Sequence, residues 1–328
     1  MPADSWTGPG GAHWLGRAPG KVILFGEHAV VYGRPAIAVP LTHLQAAATI
    51  TPGPSASGIW LDAPDLPLFR PRPLAELPAD DPLRAAVELA LTAFGQPVTA
   101  GKPAPDLVIR IHSNIPVARG LGSGTAVTAA ILRAMAAYYH QAVMPEQLSP
   151  LVYDIEKLHH GTPSGIDNTV VVYEQPIYFR RGADPAHLRL GRSLRLLVAD
   201  SGVPSSTRRV VEHVRQCWQA QPERYERLFD DIGTLVQRAR DALVQGQLTA
   251  IGALMNENQR LLTELGVSSA ELERLVSAAR TAGALGAKLS GAGWGGCMLA
   301  LVEPPTEAPV AKALRSAGAV AVMASDVG

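Results

Sequence analysis

The sequence predicts a mixed α and β protein in two domains, and three observations carry that expectation. At 328 residues the chain is long for a single hydrophobic core. Its first part alternates short apolar strand-like runs with helical stretches, whereas beyond about residue 190 long amphipathic helical stretches dominate. We therefore expect one domain over residues 1–190 and a second over residues 191–328.

Composition narrows the function before any motif is read. With 47% hydrophobic and 18% charged residues the chain is an ordinary folded protein, not a disordered one. Basic and acidic residues balance at 29 each, so no global charge draws a nucleic acid or an acidic membrane surface, and any phosphate must be held by a local site. Cys217 and Cys297 lie far apart with no Cys-x-x-Cys pair, which argues against a zinc site or a disulfide framework and for a reducing cytoplasm. No apolar run reaches the roughly 18 residues of a membrane span, and the N-terminus lacks the order of a secretory signal. Oligomeric state stays open, a homodimer among the options.

Residues 1–15 read as a loose tail. Val22, Ile23, Leu24 and Phe25 then form a short buried strand between Lys21 and the polar turn Gly26-Glu27-His28, and residues 36–41 are a second apolar run. Residues 51–82 contain eight prolines and read as an irregular surface excursion, a candidate lid. A helix over 83–94 follows. Leu107, Ile109 and Ile111 alternate with Val108, Arg110 and His112, giving a strand with one wholly apolar face that delivers the chain to a glycine-dense loop.

That loop, residues 116–125, organises the rest. Pro116, Arg119, Gly120, Leu121, Gly122, Ser123, Gly124 and Thr125 run straight into an alanine-rich helix over 123–140. The glycines let a ligand approach the main chain, and Ser123 or Thr125 can cap the helix start. The unpaired N–H groups and partial positive charge of a helix N-terminus suit phosphate oxygens.

Ser149 and Pro150 read as the cap and first residue of a helix that carries Asp154 and Glu156 and stops near His160 and Gly161. A rigid turn over 162–168, containing Asp167, leads into the apolar run 170–173 and, after Gln175-Pro176, into 177–179, which together read as a hairpin. Taken alone, Lys21 reads as a surface lysine, His28 as a turn histidine and Asp167 as a turn acceptor. Residues 194–199 form a strand that ends at Asp200, followed by a polar loop to Thr207 and a helix over 210–218. Helices are expected over 223–244, 248–265 and 270–282. Four glycines in six residues, 291–296, lie between two strands, so the backbone there is approached closely by another segment or by a ligand. A helix over 307–317 and a strand over 319–323 close the chain. The Walker-type phosphate loop is missing, no strand leads through G-x-G-x-x-G into a helix as the dinucleotide fingerprint requires, and Ser123 is a poor match to the hydrolase nucleophile elbow.

Three blocks in this order, residues 18–33 with Lys21, Glu27 and His28, residues 116–126, and residues 288–296 with Lys288, Gly291, Ala292 and Gly293, resemble the three motifs of the GHMP kinases. Within that superfamily the chain is most similar to the mevalonate kinases, which also share the pattern of residues 156–168 and 202–207, whereas the continuation after His28 departs from galactokinases. The resemblance implies an α+β fold with an N-terminal domain like ribosomal protein S5 domain 2, a C-terminal ferredoxin-like domain and an active site in the cleft between them. It also implies ATP-dependent phosphorylation of the primary hydroxyl of mevalonate in isoprenoid biosynthesis.

By the same resemblance Asp167 and Lys21 are the catalytic pair, the 116–125 loop holds ATP, and Glu156 and Ser123 hold Mg2+. Glu27, His28, Thr207, Gly291, Ala292 and Gly293 fall on the substrate side. Lys21 either helps Asp167 take the hydroxyl proton or neutralises γ-phosphate charge. One departure concerns the metal: Gly124 stands where these kinases commonly carry a second serine, so Ser123, Thr125 or water fills that role. Competing readings are another kinase of the superfamily, acting on a tertiary hydroxyl, on phosphomevalonate or on a sugar, and a non-catalytic metabolite-binding regulator. Retention of Lys21 and Asp167 favours a primary-hydroxyl kinase.

Overall fold

The computed structural model describes residues 13–66, 69–94, 105–160 and 163–328, the side chains of residues 159 and 160 excepted. The expected tail, Pro67, and Gly161 and Thr162 of the turn before Asp167 therefore lie outside the described residues, the tail up to residue 12.

The first sheet is built on a long antiparallel pair, β1 (Trp14–Phe25) and β2 (Ala36–Pro52), joined through a turn and a short 3-10 segment (Ala29–Tyr32). β1 is longer than the four apolar residues predict because it incorporates Gly16, Pro19 and Gly20. The reason is α2 (Ser123–Tyr138), which lies directly across it. A Cβ on Gly16 would overlap the carbonyl oxygen of Ala130 and the amide nitrogen of Ala134, and one on Gly20 would stand 3.1 Å from the carbonyl oxygen of Leu121. On the helix side Ala126, Ala129, Ala130 and Ala134 are buried, so small residues on both partners allow the close seating. Register shifts after Pro19 and after Ile23 mark bulges that re-aim the strand.

The other edge of β2 pairs with β5 (Leu107–Ser113) along one half and β6 (Ile177–Phe179) along the other, and β6 pairs with β7 (Ala186–His187). The proline-rich segment is not wholly irregular. Its stretch between Pro54 and Pro64 forms β3 (Ile59–Asp62), parallel to β5 and paired on its far side with β4 (Arg72–Pro73). Ile59 and Leu61 are buried there, and Pro73 sits in the edge strand, where a missing N–H costs no ladder bond.

Three helices complete this part. α1 (Pro82–Ala93) is capped by Asp81, whose carboxylate accepts from the N–H groups of Leu83 and Arg84. α3 (Pro145–His160) starts at Pro145, not at Ser149-Pro150. Pro150 is inside it, and the carbonyl it deprives of a donor belongs to exposed Glu146, within reach of water. Ser149 is no cap: it is buried and its hydroxyl accepts from Asn168 Nδ2 at 2.8 Å. Residues 170–173 form no hairpin strand either, because they belong to α4 (Ile166–Tyr173). Gly165 (φ 92°) turns the chain, the Thr169 hydroxyl donates to its carbonyl, and Val170, Val171 and Val172 are buried where α4 meets β1 and β2. That burial overrides the strand preference of three β-branched residues.

The second sheet contains β8 (Leu194–Asp200), β9 (Gly286–Ser290), β10 (Cys297–Val302) and β11 (Ala321–Val327), in the order β11-β8-β10-β9 with all neighbours antiparallel. Between β8 and β9 run α5 (Thr207–Ala220), α6 (Pro222–Gln245), α7 (Leu248–Glu264) and α8 (Ala270–Thr281), and α9 (Pro304–Ser316) joins β10 to β11. The order strand, helices, two strands, helix, strand is the split βαβ arrangement of ferredoxin-like domains. α9 begins and β11 extends beyond the sequence expectation, by three and four residues respectively. The free edge of β9 is covered by α7: the amides of Ala287 and Leu289 donate to Asn256 Oδ1 and Gln259 Oε1 at 3.0 and 2.8 Å.

One cluster of buried apolar side chains spans both sheets. Arg34, after the 3-10 segment, bonds Glu226 and Asp230 of α6, while Tyr32 stacks on Phe229 with ring centroids 4.1 Å apart. Among the described residues no helix is long and apolar enough to cross a membrane.

Gly16→Ala should therefore destabilise the protein by roughly 1–3 kcal/mol, since α2 must lift off β1 to admit the methyl group. Gly124→Ala, which meets nothing within 4 Å, should leave the denaturant midpoint unchanged or slightly raised. Equal midpoints for the two variants would show that the helix is not seated as described.

Candidate active site

Lys21 is fixed at both its backbone and its stem. Its N–H donates to the Leu121 carbonyl at 2.9 Å, which ties β1 to the glycine loop. Gly122 (φ 75°) leaves no room for a side chain, because a Cβ there would lie 2.9 Å from Lys21 Cγ. The ammonium then reaches Asp167, in the first turn of α4, with Nζ 2.8 Å from Oδ2. The lysine side chain is 4% exposed and the aspartate 32%, so the pair is open on the carboxylate side.

The helix start differs from expectation in a way that favours an anion. Neither Ser123 nor Thr125 caps α2; the N-cap is Gly122 in the left-handed region, with no side-chain hydrogen bond. The first N–H groups and the positive end of the helix dipole are left for a ligand or water. Ser123 is the first helical residue, and Gly124 behind it is exposed.

The Thr125 hydroxyl instead donates to Glu156 Oε1 on α3. Glu156 is buried, and burial, followed by the charge of Asp167, pushes its carboxyl up to about 8 against the pull of Thr125 and Lys21. Its other oxygen, Oε2, has no hydrogen-bond partner. A desolvated carboxyl beside a second carboxylate, with one oxygen unpaired, fits a cation bound between protein and ligand oxygens. Among the described residues no group of three or more His, Cys, Asp or Glu could hold a metal by itself, so such an ion would need further ligands from outside these side-chain types.

The third block closes the site from the other side. A Cβ on Gly120 (φ 77°) would lie 3.7 Å from the Gly291 Cα, so two glycine backbones nearly touch. The sequence left open whether a segment or a ligand approaches residues 291–296, and much of the answer is the protein itself: Gly293 abuts Val267, Gly295 abuts Val203 and Gly296 abuts Arg119. His28 Nε2–H donates to the Ala292 carbonyl at 2.8 Å, and burial lowers the imidazole to about 4, so it is neutral near pH 7.

Glu27 is buried and bonded to the ammonium of Lys288, which also donates to the Leu289 carbonyl at 2.6 Å. Burial pushes Glu27 up and Lys288 down, each held back by the other, and Glu27 Oε2 has no partner. Lys288 has no role in the sequence reading, although it is the one basic residue in the third block. Arg119 Nε donates to Asp200 Oδ2 at 2.7 Å, and Pro116 is half-buried at the head of the loop. Thr207 is exposed at the start of α5. Lys21, Asp167, Glu156, Thr125 and the glycine loop thus come together, with Glu27 and His28 facing the third block beside them.

Residues 83–175 match the GHMP kinases N terminal domain and residues 239–320 the GHMP kinases C terminal domain. The chain is 36% identical over 323 residues to the mevalonate kinase of Pyrococcus horikoshii, covering 93% of each, and 36% identical over 287 residues to that of Aeropyrum pernix, covering 87% of each. The structure of L. major mevalonate kinase in complex with R-mevalonate aligns with a TM-score of 0.82 at 32% identity, over 96% of this chain and 95% of that one. The Methanococcus jannaschii mevalonate kinase aligns with a TM-score of 0.82 at 27% identity, over 97% and 99%.

The His28 environment gives a signed pH dependence. A histidine near 6.5 when unfolded and about 4 when folded binds its proton first in the unfolded chain, so its contribution to stability is complete above pH 6.5 and shrinks as pH falls toward 4. The full loss is about 3 kcal/mol. Denaturant midpoints from pH 7 to pH 4 should fall more steeply for the native protein than for His28→Gln, and parallel curves would show that the imidazole is not held in this way.

Proposed function

The chain belongs to the GHMP kinases, in the mevalonate kinase family, and from that premise we propose that it transfers the terminal phosphoryl group of ATP to the primary 5-hydroxyl of mevalonate, giving 5-phosphomevalonate and ADP. The observation that carries this reading is the buried ammonium of Lys21 on the partly open carboxylate of Asp167, beside the uncapped start of α2. Phosphoryl transfer asks a protein for position and charge compensation more than for covalent chemistry.

The loop 116–125 receives the β- and γ-phosphates on its N–H groups, with the positive end of α2 behind them. Glu156 and Ser123 would hold magnesium, whose charge offsets that of the phosphates. Thr125 holds Glu156 in place. The acceptor oxygen forms a new bond to the γ-phosphorus as the bridging bond to ADP breaks. Asp167 orients the hydroxyl and takes its proton, and Lys21 stabilises the negative charge that develops between them. The acceptor lies on the side of His28, Ala292, Gly291, Gly293 and Thr207. Neutral His28 fixes the Ala292 backbone, and Glu27 acts from the interior through Lys288.

Retention of both Lys21 and Asp167 supports a primary-hydroxyl kinase over one acting on a tertiary hydroxyl. The passage from the first sheet to the second between residues 187 and 194 supports dividing the chain into domains over 1–190 and 191–328. Two free cysteines are in keeping with a reducing cytoplasm.

ATP consumption measured over mevalonate, 5-phosphomevalonate, homoserine and galactose should show turnover with mevalonate alone, and none with mevalonate would end this reading. Asp167→Asn should lower kcat by roughly 100- to 10,000-fold. Lys21→Met should also act on kcat far more than on KM, and a pure KM effect would assign the lysine to ground-state binding.

A further inference from the structure

Asp200 ends β8, is 5% exposed, and takes no part in the chemistry above. A carboxylate this buried must be paired or hydrogen-bonded. Its Oδ1 accepts from the Gly202 N–H at 2.8 Å and its Oδ2 from Arg119 Nε at 2.7 Å. Arg119 immediately precedes Gly120, so the second sheet grips the phosphate loop by one of the loop's own side chains.

The segment after Asp200 extends the grip. Ser201 N–H donates to the Gly296 carbonyl at 2.9 Å and Gly296 N–H to the Val203 carbonyl at 2.8 Å. The Ser205 hydroxyl donates to the Gly293 carbonyl at 2.6 Å, and the Ser205 N–H to the Ala118 carbonyl at 3.4 Å. Residues 201–205 therefore bridge the phosphate loop and the third block, with Arg119–Asp200 as the charged anchor. Cys297, opposite Asp200 on β10, does not compete for it: burial and the Asp200 charge push its thiol up to about 12, so it stays protonated.

The loop needs such an anchor. Gly120 and Gly122 both take positive φ, and glycines lose more conformational freedom on ordering than any other residue. A phosphate cradle made of them binds well only if something else holds it before the ligand arrives. We propose that Asp200 is a positioning residue for the nucleotide: by holding Arg119 it pre-sets the phosphate loop against the third block and so raises nucleotide affinity. This rests on reading the 116–125 loop as the nucleotide site.

The test uses the whole protein, with a non-hydrolysable ATP analogue titrated by calorimetry and steady-state kinetics run beside it. Asp200→Asn and Arg119→Ala should each weaken analogue binding and raise the KM for ATP by about tenfold with the KM for mevalonate unchanged, and Asp200→Asn, which lies outside the loop, should keep kcat within about threefold of the native value. The double variant should be no weaker than either single one, because both remove the same link. Native affinity in Asp200→Asn, multiplied losses in the double variant, or a lower kcat at unchanged KM would each overturn the proposal, the last because damage to the fold removes active molecules without altering their affinity. Should Asp200→Asn not fold, Arg119→Ala decides the matter: native affinity there also overturns it. A native protein that binds no analogue would refute the nucleotide reading itself, whereas native binding with unaffected variants would refute the positioning role alone.

Discussion

The site depends on how closely α2 lies against β1. Gly16 and Gly20 on the strand and the alanines on the helix bring two backbones to a separation that no larger side chain permits. At that separation the Lys21 N–H reaches Leu121, the lysine stem slides beneath Gly122, and the ammonium emerges at the mouth of the helix beside Asp167. The alanine content of residues 126–136 is thus a requirement of the site and not only helix propensity.

Two groups of buried charge serve different ends. Lys21, Asp167 and Glu156 sit where one carboxylate is partly open and one carboxyl oxygen is unpaired, so this group has bonding capacity that the protein itself leaves unused. Glu27 and Lys288 are closed off, joining the end of β1 to β9. A buried pair of this kind adds little net stability, but removing either partner strands the other in a dry interior. Its value is geometric: it sets the register of the first block on the third and leaves His28 bonded to Ala292.

Much of this was legible in the chain and some of it was not, for identifiable reasons. Alternation along Leu107 to Ile111 and the amphipathic stretches after residue 222 gave β5, α6, α7 and α8 because each buries one face, the condition under which periodicity is informative. The valines of α4 look like a strand because they are buried on several sides and show no period, and Ser149-Pro150 looks like the start of α3 because it imitates a cap. Local chemistry could not separate Lys21 or Asp167 from ordinary surface residues. Their pairing followed from resemblance, since nothing in either segment announces the other. The pairings of Lys288 and Asp200 are not legible in the sequence, because their partners Glu27 and Arg119 lie 261 and 81 positions away.

The amides with which α7 covers β9 bear on how this protein avoids clumping. An unguarded strand edge is a template on which another chain can lay itself down, and β9 has such an edge on the side away from β10. Asn256 and Gln259 occupy its two outward N–H groups, and they come earlier in the chain than the strand they shield. During synthesis the guard therefore leaves the ribosome before the surface that needs guarding, so a half-made molecule in a crowded cell need never present that strand bare.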